Sequence, residues 1–345
     1  MFKGLSGLLL AALLATSCSD DQSGGGTAGA AGGSGGAGLG GGGTAGTAAA
    51  GGGGVSGQGG GAAGSGGSGL GLVGVNRRIA CSKAFNCVIQ ADKSLYCWGD
   101  TLALPSGTGP YKSVRADQAR GIGACALLAD GTAECFGPTD GKELTGTFLQ
   151  VFEVSNIGCG LRPTGAIECW SGNATGDQEL ALLNLPTGKT FSSFELGPSS
   201  WWCGLDASGA VSCGGDSATL TLRPGYASPP AASMVSLGIG DTMCALDSAG
   251  LITCWGGPMF SDPPPTGSGW VQIAGGFRMN CALHQDGHAE CWNQSGVQPP
   301  SDARFVEIAA GDTQACGIKT DGTVICWGNG TGSVYESPPS TVKAF

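Results

Sequence analysis

Cys125-Ala-Leu-Leu-Ala-Asp-Gly-Thr-Ala-Glu-Cys135-Phe136-Gly137 is one of seven stretches in which a second cysteine follows the first after ten positions. The others pair Cys87 with Cys97, Cys159 with Cys169, Cys203 with Cys213, Cys244 with Cys254, Cys281 with Cys291 and Cys316 with Cys326. The spacing inside a pair is constant, while successive pairs start 34 to 44 residues apart. A period near 40 with strand-like content points to propeller blades or another repeat array.

Six of the seven stretches place glycine six residues after the first cysteine: Gly131, Gly165, Gly209, Gly250, Gly287 and Gly322. This predicts a hairpin with a three-residue loop such as Ala129-Asp130-Gly131, closed by a left-handed residue that glycine fills without steric cost. In that register Cys125 faces Cys135, within disulfide range. The residues two past the first cysteine (Ile89, Leu127, Leu161, Leu205, Leu246, Leu283, Ile318) then face Leu95, Ala133, Ile167, Val211, Ile252, Ala289 and Val324. All fourteen are apolar, so each hairpin face carries a disulfide and an aliphatic pair. The residue after the first cysteine is small in six copies (Ala126, Gly160, Gly204, Ala245, Ala282, Gly317) and Val88 in the first. Small residues there are expected to admit a neighbouring sheet. Lys93 stands where the other copies have glycine, so the first turn is expected to be strained or differently shaped.

Upstream runs such as Val235-Ser-Leu-Gly-Ile-Gly240, Val271-Gln-Ile-Ala-Gly-Gly276 and Val306-Glu-Ile-Ala-Ala-Gly311 add a third strand to each unit, with room for a short fourth. The composite Val-x-Ile-Ala-x-Gly followed by Cys-x-Leu-x-x-Asp-Gly-x-Val-x-Cys-Trp-Gly resembles the repeat of the regulator of chromosome condensation family. The resemblance covers residues 77–337 and implies an all-β, seven-bladed β-propeller over 76–345. The repeats are shorter than in eukaryotic nuclear members, and paired cysteines suit an exported protein. The nuclear exchange-factor and chromatin roles are therefore not carried over. The nearer comparison is the secreted bacterial branch, which includes a propeller that inhibits β-lactamases, and no residue here matches that inhibitor's contact surface.

Residues 1–17 read as a secretory signal, with Lys3 at the start and an apolar run from Leu8 to Leu14 too short to span a bilayer. Ala15-Thr16-Ser17-Cys18 resembles the lipobox of bacterial lipoproteins, which implies lipidation of Cys18 and membrane attachment. Ser19, rather than Asp, follows it, which favours outer-membrane sorting. Residues 18–75 form a linker; from Gly24 to Gly74, 28 of 51 residues are glycine and none is charged. Such composition cannot bury enough apolar surface to offset its ordering entropy, and gives a flexible tether reaching about 40 Å.

The chain carries a net charge of −10, and an acidic balance argues against nucleic-acid partners. Zinc sites favour cysteines two to four residues apart, and no such pair exists, so the reading is disulfides, no metal and no cofactor. His284 and His288, the two histidines, read as solvated turn residues. Cys81 is left over, either a buried free thiol or an intermolecular disulfide partner. Trp98, Trp170, Trp255, Trp292 and Trp327 follow the second cysteine and read as packing between blades; Phe136 and Gly214 take that place in two copies. Trp201, Trp202 and Trp270 fall outside that register and are candidates for a binding rim. The spacing from Gly322 to Trp327 does not match the Asp-box of sialidases, and no catalytic constellation emerges. These features point to an envelope lipoprotein whose propeller binds a protein or glycan. An extracytoplasmic hydrolase with its site at the channel mouth, or a structural envelope component, are the alternatives.

Overall fold

The computed structural model describes residues 76–99, 109–118, 120–137, 139, 144–197, 201–217, 220, 224–256, 262–292, 297–329 and 336–345. They form seven antiparallel sheets of three strands, each in chain order. Blade 1 comprises Ile79–Cys81, Phe85–Ile89 and Leu95–Gly99; blade 2, Tyr111–Ala116, Ala124–Leu128 and Ala133–Phe136; blade 3, Gln150–Val154, Ile157–Leu161 and Ile167–Ser171. Blade 4 comprises Ser193–Gly197, Trp201–Leu205 and Val211–Gly215, and blade 5 Met234–Ile239, Met243–Asp247 and Ile252–Trp255. Blade 6 comprises Trp270–Gly275, Asn280–His284 and Ala289–Trp292, and blade 7 Phe305–Ala310, Gln314–Lys319 and Val324–Gly328. The first strand of each blade lies against that of the next, and that of blade 7 against that of blade 1. The first strands are therefore the inner ring of an all-β seven-bladed propeller. Among the described residues no blade has a fourth strand. After the outer strand of blade 3 comes a helix, α1 (Ala174–Leu182), capped by the Asn173 side chain, which accepts from the Gly176 amide at 2.9 Å.

The middle and outer strands pair in the register the cysteine spacing predicts, cysteine facing cysteine and each aliphatic pair two residues beyond. All seven disulfides are formed, with Cα atoms 4.0–4.1 Å apart. In blade 2 the loop closes through Leu128 N–H to Thr132 O at 2.9 Å and Gly131 N–H to Leu128 O at 3.0 Å, with Gly131 at φ 91°. The first turn is not differently shaped: Lys93 adopts φ 70° and the equivalent bonds, Gln90 N–H to Ser94 O and Lys93 N–H to Gln90 O, are both 2.9 Å. A side chain in this region costs on the order of 1 kcal/mol, so the strain falls on Lys93 while the hairpin keeps its form.

The small residue after the first cysteine has a different purpose from the one expected. It seats the residue that leads its own blade's inner strand. These leads are Tyr111, Phe148, Phe191, Met234, Trp270 and Phe305 in blades 2 to 7, all buried. A Cβ added at Gly160 would collide with the Phe148 ring, and one at Gly204 or Gly317 with Phe191 or Phe305. The tryptophans after the second cysteine do pack between blades. Trp170 shares a cluster with Cys125 and Leu127 of blade 2, and Trp327 directs its N–H to Cys291 Sγ of blade 6 at 3.4 Å. Blade 4 reaches the same filling from the opposite strand. Trp202 faces Gly214, whereas in blade 3 Gly158 faces Trp170. A Cβ at either glycine would enter the facing indole.

The C-terminal segment closes the ring. Each lead residue donates its amide to the turn carbonyl of the preceding blade, as Phe148 does to Gly131 at 2.8 Å and Phe305 to Gly287 at 2.7 Å. For blade 1 the donor is Ala344, bonded to Gly322 of blade 7 at 2.9 Å. The residue before it, Lys343, accepts from Ala91 of blade 1 at 3.0 Å, as Arg304 accepts from Thr320 in blade 7 at 3.2 Å. Val342 and Ala344 are buried with Ile79 and Val88 of blade 1 and Ile318 and Val324 of blade 7. Val88 is the one large residue in the small-residue series because its lead is an alanine.

Candidate functional site

The centre of the ring is filled by charge. Arg115 of blade 2 holds Glu195 of blade 4 through two nitrogens, Nη1 to Oε2 at 3.1 Å and Nη2 to Oε1 at 3.0 Å. Arg77, just before blade 1, donates to the Ile273 carbonyl of blade 6 at 2.9 Å and lies 3.9 Å from Glu195. These blades stand around the ring, so the cluster crosses its middle. Burial, and then Arg115, pull the Arg77 guanidinium down to about 10, against the opposing pull of Glu195 and Glu307. At the seam Glu307 accepts from the Arg78 amide at 2.6 Å and from Arg78 Nε at 3.1 Å; burial raises its carboxyl and Arg78 offsets this. Gln272 and Gln150 tie neighbouring inner strands in the same way, to Ile308 and Phe194 at 3.0 Å each. These polar groups bind blade to blade.

A further buried carboxyl belongs to Glu153 of blade 3, 1% exposed. It accepts from the Thr139 hydroxyl and lies 3.4 Å from Cys125 Sγ. Burial pushes it up to about 9, partly offset by the Thr139 bond and reinforced by Asp117. Cys125, Cys135 and Glu153 come together, but both sulfurs are spent in the disulfide and neither is a thiolate ligand.

One face of the propeller carries the hairpin turns and the starts of the inner strands. In blades 2, 5, 6 and 7 the strand bulges just after its lead residue, at Lys112, Val235, Val271 and Val306. A bulge re-aims the side chain it carries, and in blades 5 and 7 it turns a valine outward. Val235 is 46% and Val306 42% exposed; Leu149 follows the lead of blade 3 and Phe345 follows Ala344, at 39% and 49%. Leu251, beside the turn of blade 5, is 45% exposed. Of six large exposed apolar side chains among the described residues, five are on this face, and Leu182 of α1 is the sixth. A cleft of about 320 Å³ opens here between blades 4 and 5, with Val235 and the turn Asp206–Gly209 at its edge and Glu195 and Leu237 deeper.

Asp92, Asp130 and Asp321 sit at the centre of their turns and accept from the amides of Ser94, Thr132 and Thr323 at 2.9–3.0 Å. The hydroxyls of those residues bond to the same oxygens. These bonds hold the carboxyls below their usual range, Asp321 at about 2.

Trp201, Trp202 and Trp270 do not form a binding rim: they are 2%, 3% and 4% exposed. Trp201 meets Tyr226 edge to face at 5.1 Å, and Trp202 stacks on Phe194 at 5.6 Å and donates to the Leu183 carbonyl. Trp270 is the lead residue of blade 6. Cys81 is a free thiol, 2% exposed, with its pKa raised by burial, and in this fold it is inaccessible to an intermolecular partner. Cys18 and the rest of the signal and linker lie outside the described residues. The exposed apolar set escaped sequence reading because single valines and leucines look like core. For Leu149, Val235, Val306 and Phe345 the signal was the constant position just after the lead residue. His284 and His288 converge on Asp286, their potential ligand atoms within 4.8 Å of one another.

Residues 305–332 match the family model described as the Regulator of chromosome condensation (RCC1) repeat. The protein is thus a disulfide-stapled seven-bladed propeller. The matched residues fall on its seventh blade. Two solved structures share the fold. One is the CRINKLY WD40 ectodomain of the Arabidopsis thaliana receptor kinase ACR4, 22% identical, covering 77% of this chain and 100% of that chain with a TM-score of 0.62. The other is the entire ectodomain of the Physcomitrella patens receptor kinase CR4, 23% identical, covering 74% of each chain with a TM-score of 0.60. No curated protein matches the chain.

Proposed function

We propose that the protein is an extracytoplasmic binding module that docks a protein partner on the turn face of its propeller. The observation that carries this is the exposure of Leu149, Val235, Val306 and Phe345 at one structural position of separate blades, on the face where the cleft bordered by Val235 opens between blades 4 and 5. Scattered exposed hydrophobics need no explanation, but a set gathered on one face fits an interaction surface. Apolar anchors favour a protein over a glycan. Seven disulfides call for an oxidising compartment. The lipid on Cys18 and the glycine-rich linker would hold the domain outside the cytoplasm, at the outer membrane. A hydrolase would need a free acid, base or nucleophile near the channel, whereas Arg77, Arg115 and Glu195 are engaged with one another.

Affinity capture from envelope extract with the full chain tests the face. The L149E/V235E/V306E variant should lose its captured proteins, while R278E, on the opposite loops, should keep them. Equal capture by both variants would refute the assignment. For the anchor, Cys18→Ser should abolish incorporation of labelled fatty acid and release the protein from membranes.

A further inference from the structure

Both histidines of the chain stand in the turn of blade 6. The hairpin is the same as elsewhere, with His284 N–H to His288 O and Gly287 N–H to His284 O both at 2.9 Å. Its side chains differ. In blades 1, 2 and 7 the central aspartate takes a hydroxyl from Ser94, Thr132 or Thr323. In blade 6 the equivalent of that hydroxyl residue is His288, and a second imidazole, His284, comes from the strand before the turn. His288 Nδ1 lies 2.6 Å and His284 Nδ1 3.0 Å from the same oxygen, Asp286 Oδ1.

We infer that His284, Asp286 and His288 form a binding site for a borderline divalent transition metal, of the class of Zn²⁺, Ni²⁺ or Cu²⁺. Two imidazole nitrogens and one carboxylate are a donor set these ions favour. At metal–ligand distances near 2.0–2.1 Å, tetrahedral ligands stand about 3.3 Å apart. The two nitrogens are already 2.6 and 3.0 Å from the carboxylate oxygen, so only small side-chain rotations are needed. The ion takes the Nδ1 lone pairs of neutral imidazoles, so a proton standing on either Nδ1 moves to Nε2 of the same ring or leaves to solvent as the metal binds. Asp286 is 56% exposed, so a coordination position stays open to water.

The surroundings are those of a supported site. His288 Nε2 lies 3.5 Å from Glu290 Oε1, so the ring nitrogen turned away from the metal has a carboxylate to hold its proton. The buried Trp270 meets both imidazoles edge to face, at 5.3 and 5.2 Å, and limits their rotation. The Cys281–Cys291 disulfide fixes both strands three residues from the two histidines. Sequence spacing pointed away from metal because cysteines were weighed as ligands; the four-residue histidine spacing becomes a ligand pair only when a three-residue loop folds it back.

Titration of the untagged full chain with Zn²⁺, against a chromophoric chelator, tests the site. One equivalent should bind. His288→Thr installs the residue of Thr132 and Thr323, preserves the turn and should weaken binding at least tenfold, with unchanged thermal unfolding in the absence of metal. Glu290→Gln should weaken it less, by up to about tenfold. Absence of stoichiometric binding at 1 mM Zn²⁺, or equal affinity in H288T and the parent, would overturn the assignment.

Discussion

Blade 1 and blade 3 solve the same packing problem with opposite parts. Blade 3 leads with Phe148, seats it on Gly160 and turns its hairpin on Gly165. Blade 1 leads with Ala344 from the far end of the chain, seats it against Val88 and turns on Lys93. In these two blades a large lead meets a small seat and a small lead a large one, so Val88 compensates for Ala344. The comparison also shows that the seam is borrowed: blade 1 is complete only when the C-terminal segment is in place.

Removing that segment should break the comparison most. A chain ending at Ser340 loses the burial of Val342 and Ala344, and the bonds from Ala344 to Gly322 and from Ala91 to Lys343. Burial of a valine is worth about 1.5–3 kcal/mol and each backbone bond about 1 kcal/mol. A loss of roughly 4–5 kcal/mol is expected in urea denaturation, with Cys87/Cys97 becoming easier to reduce than the other six. Next in size is the swap between blades 3 and 4. Trp202→Gly should cost about 3–5 kcal/mol. Adding Gly214→Trp to it should restore part of that loss by giving blade 4 the arrangement of blade 3, while Gly214→Trp alone should destabilise by overpacking. Failure of the double variant to recover any stability would show that the two indole positions are not equivalent.

The two sorts of carboxyl separate under pH. Glu153, raised to about 9, is protonated in the fold when its unfolded counterpart is ionised. Its share of stability is fully present below pH 4.5 and declines as pH rises towards 9, by at most about 1.4 kcal/mol per unit. Glu153→Gln should flatten that slope in denaturation curves taken across the range. Asp92, Asp130 and Asp321 work the other way: depressed in the fold, they add stability above the unfolded value of about 3.9, which is lost as pH falls through their folded values. The smallest effect is at the first turn. Lys93→Gly should stabilise by about 0.5–1 kcal/mol, since the left-handed strain exceeds the entropy that glycine adds to the unfolded chain.

Much of this was legible in the cysteine spacing. A constant ten-residue interval around a glycine at the sixth position specifies a hairpin register, and the register specifies both disulfide and aliphatic pairs. Ring closure was not legible, because Ala344 has no chemistry that marks it as the partner of Val88 at the other end of the domain. Gly214 opposite Trp202 was present in the sequence as a volume exchange, visible once strand partners are compared rather than repeat positions. The placement of Trp201 and Trp202 was hidden for the same reason: outside the repeat register they looked free, while the fold assigns them partners in Tyr226 and Phe194. The outward turn of Val235 and Val306 depended on bulges, which no local composition announces.

Hydrogen exchange on the native full chain tests the closed ring most directly. The amides of Ala344 and Ala91, donors across the seam, should be protected to the same extent as those of Phe305 and Thr320, their counterparts in blade 7. If Ala344 and Ala91 exchange at unprotected rates while Phe305 and Thr320 remain protected, the seam is open and the seven blades are not equivalent.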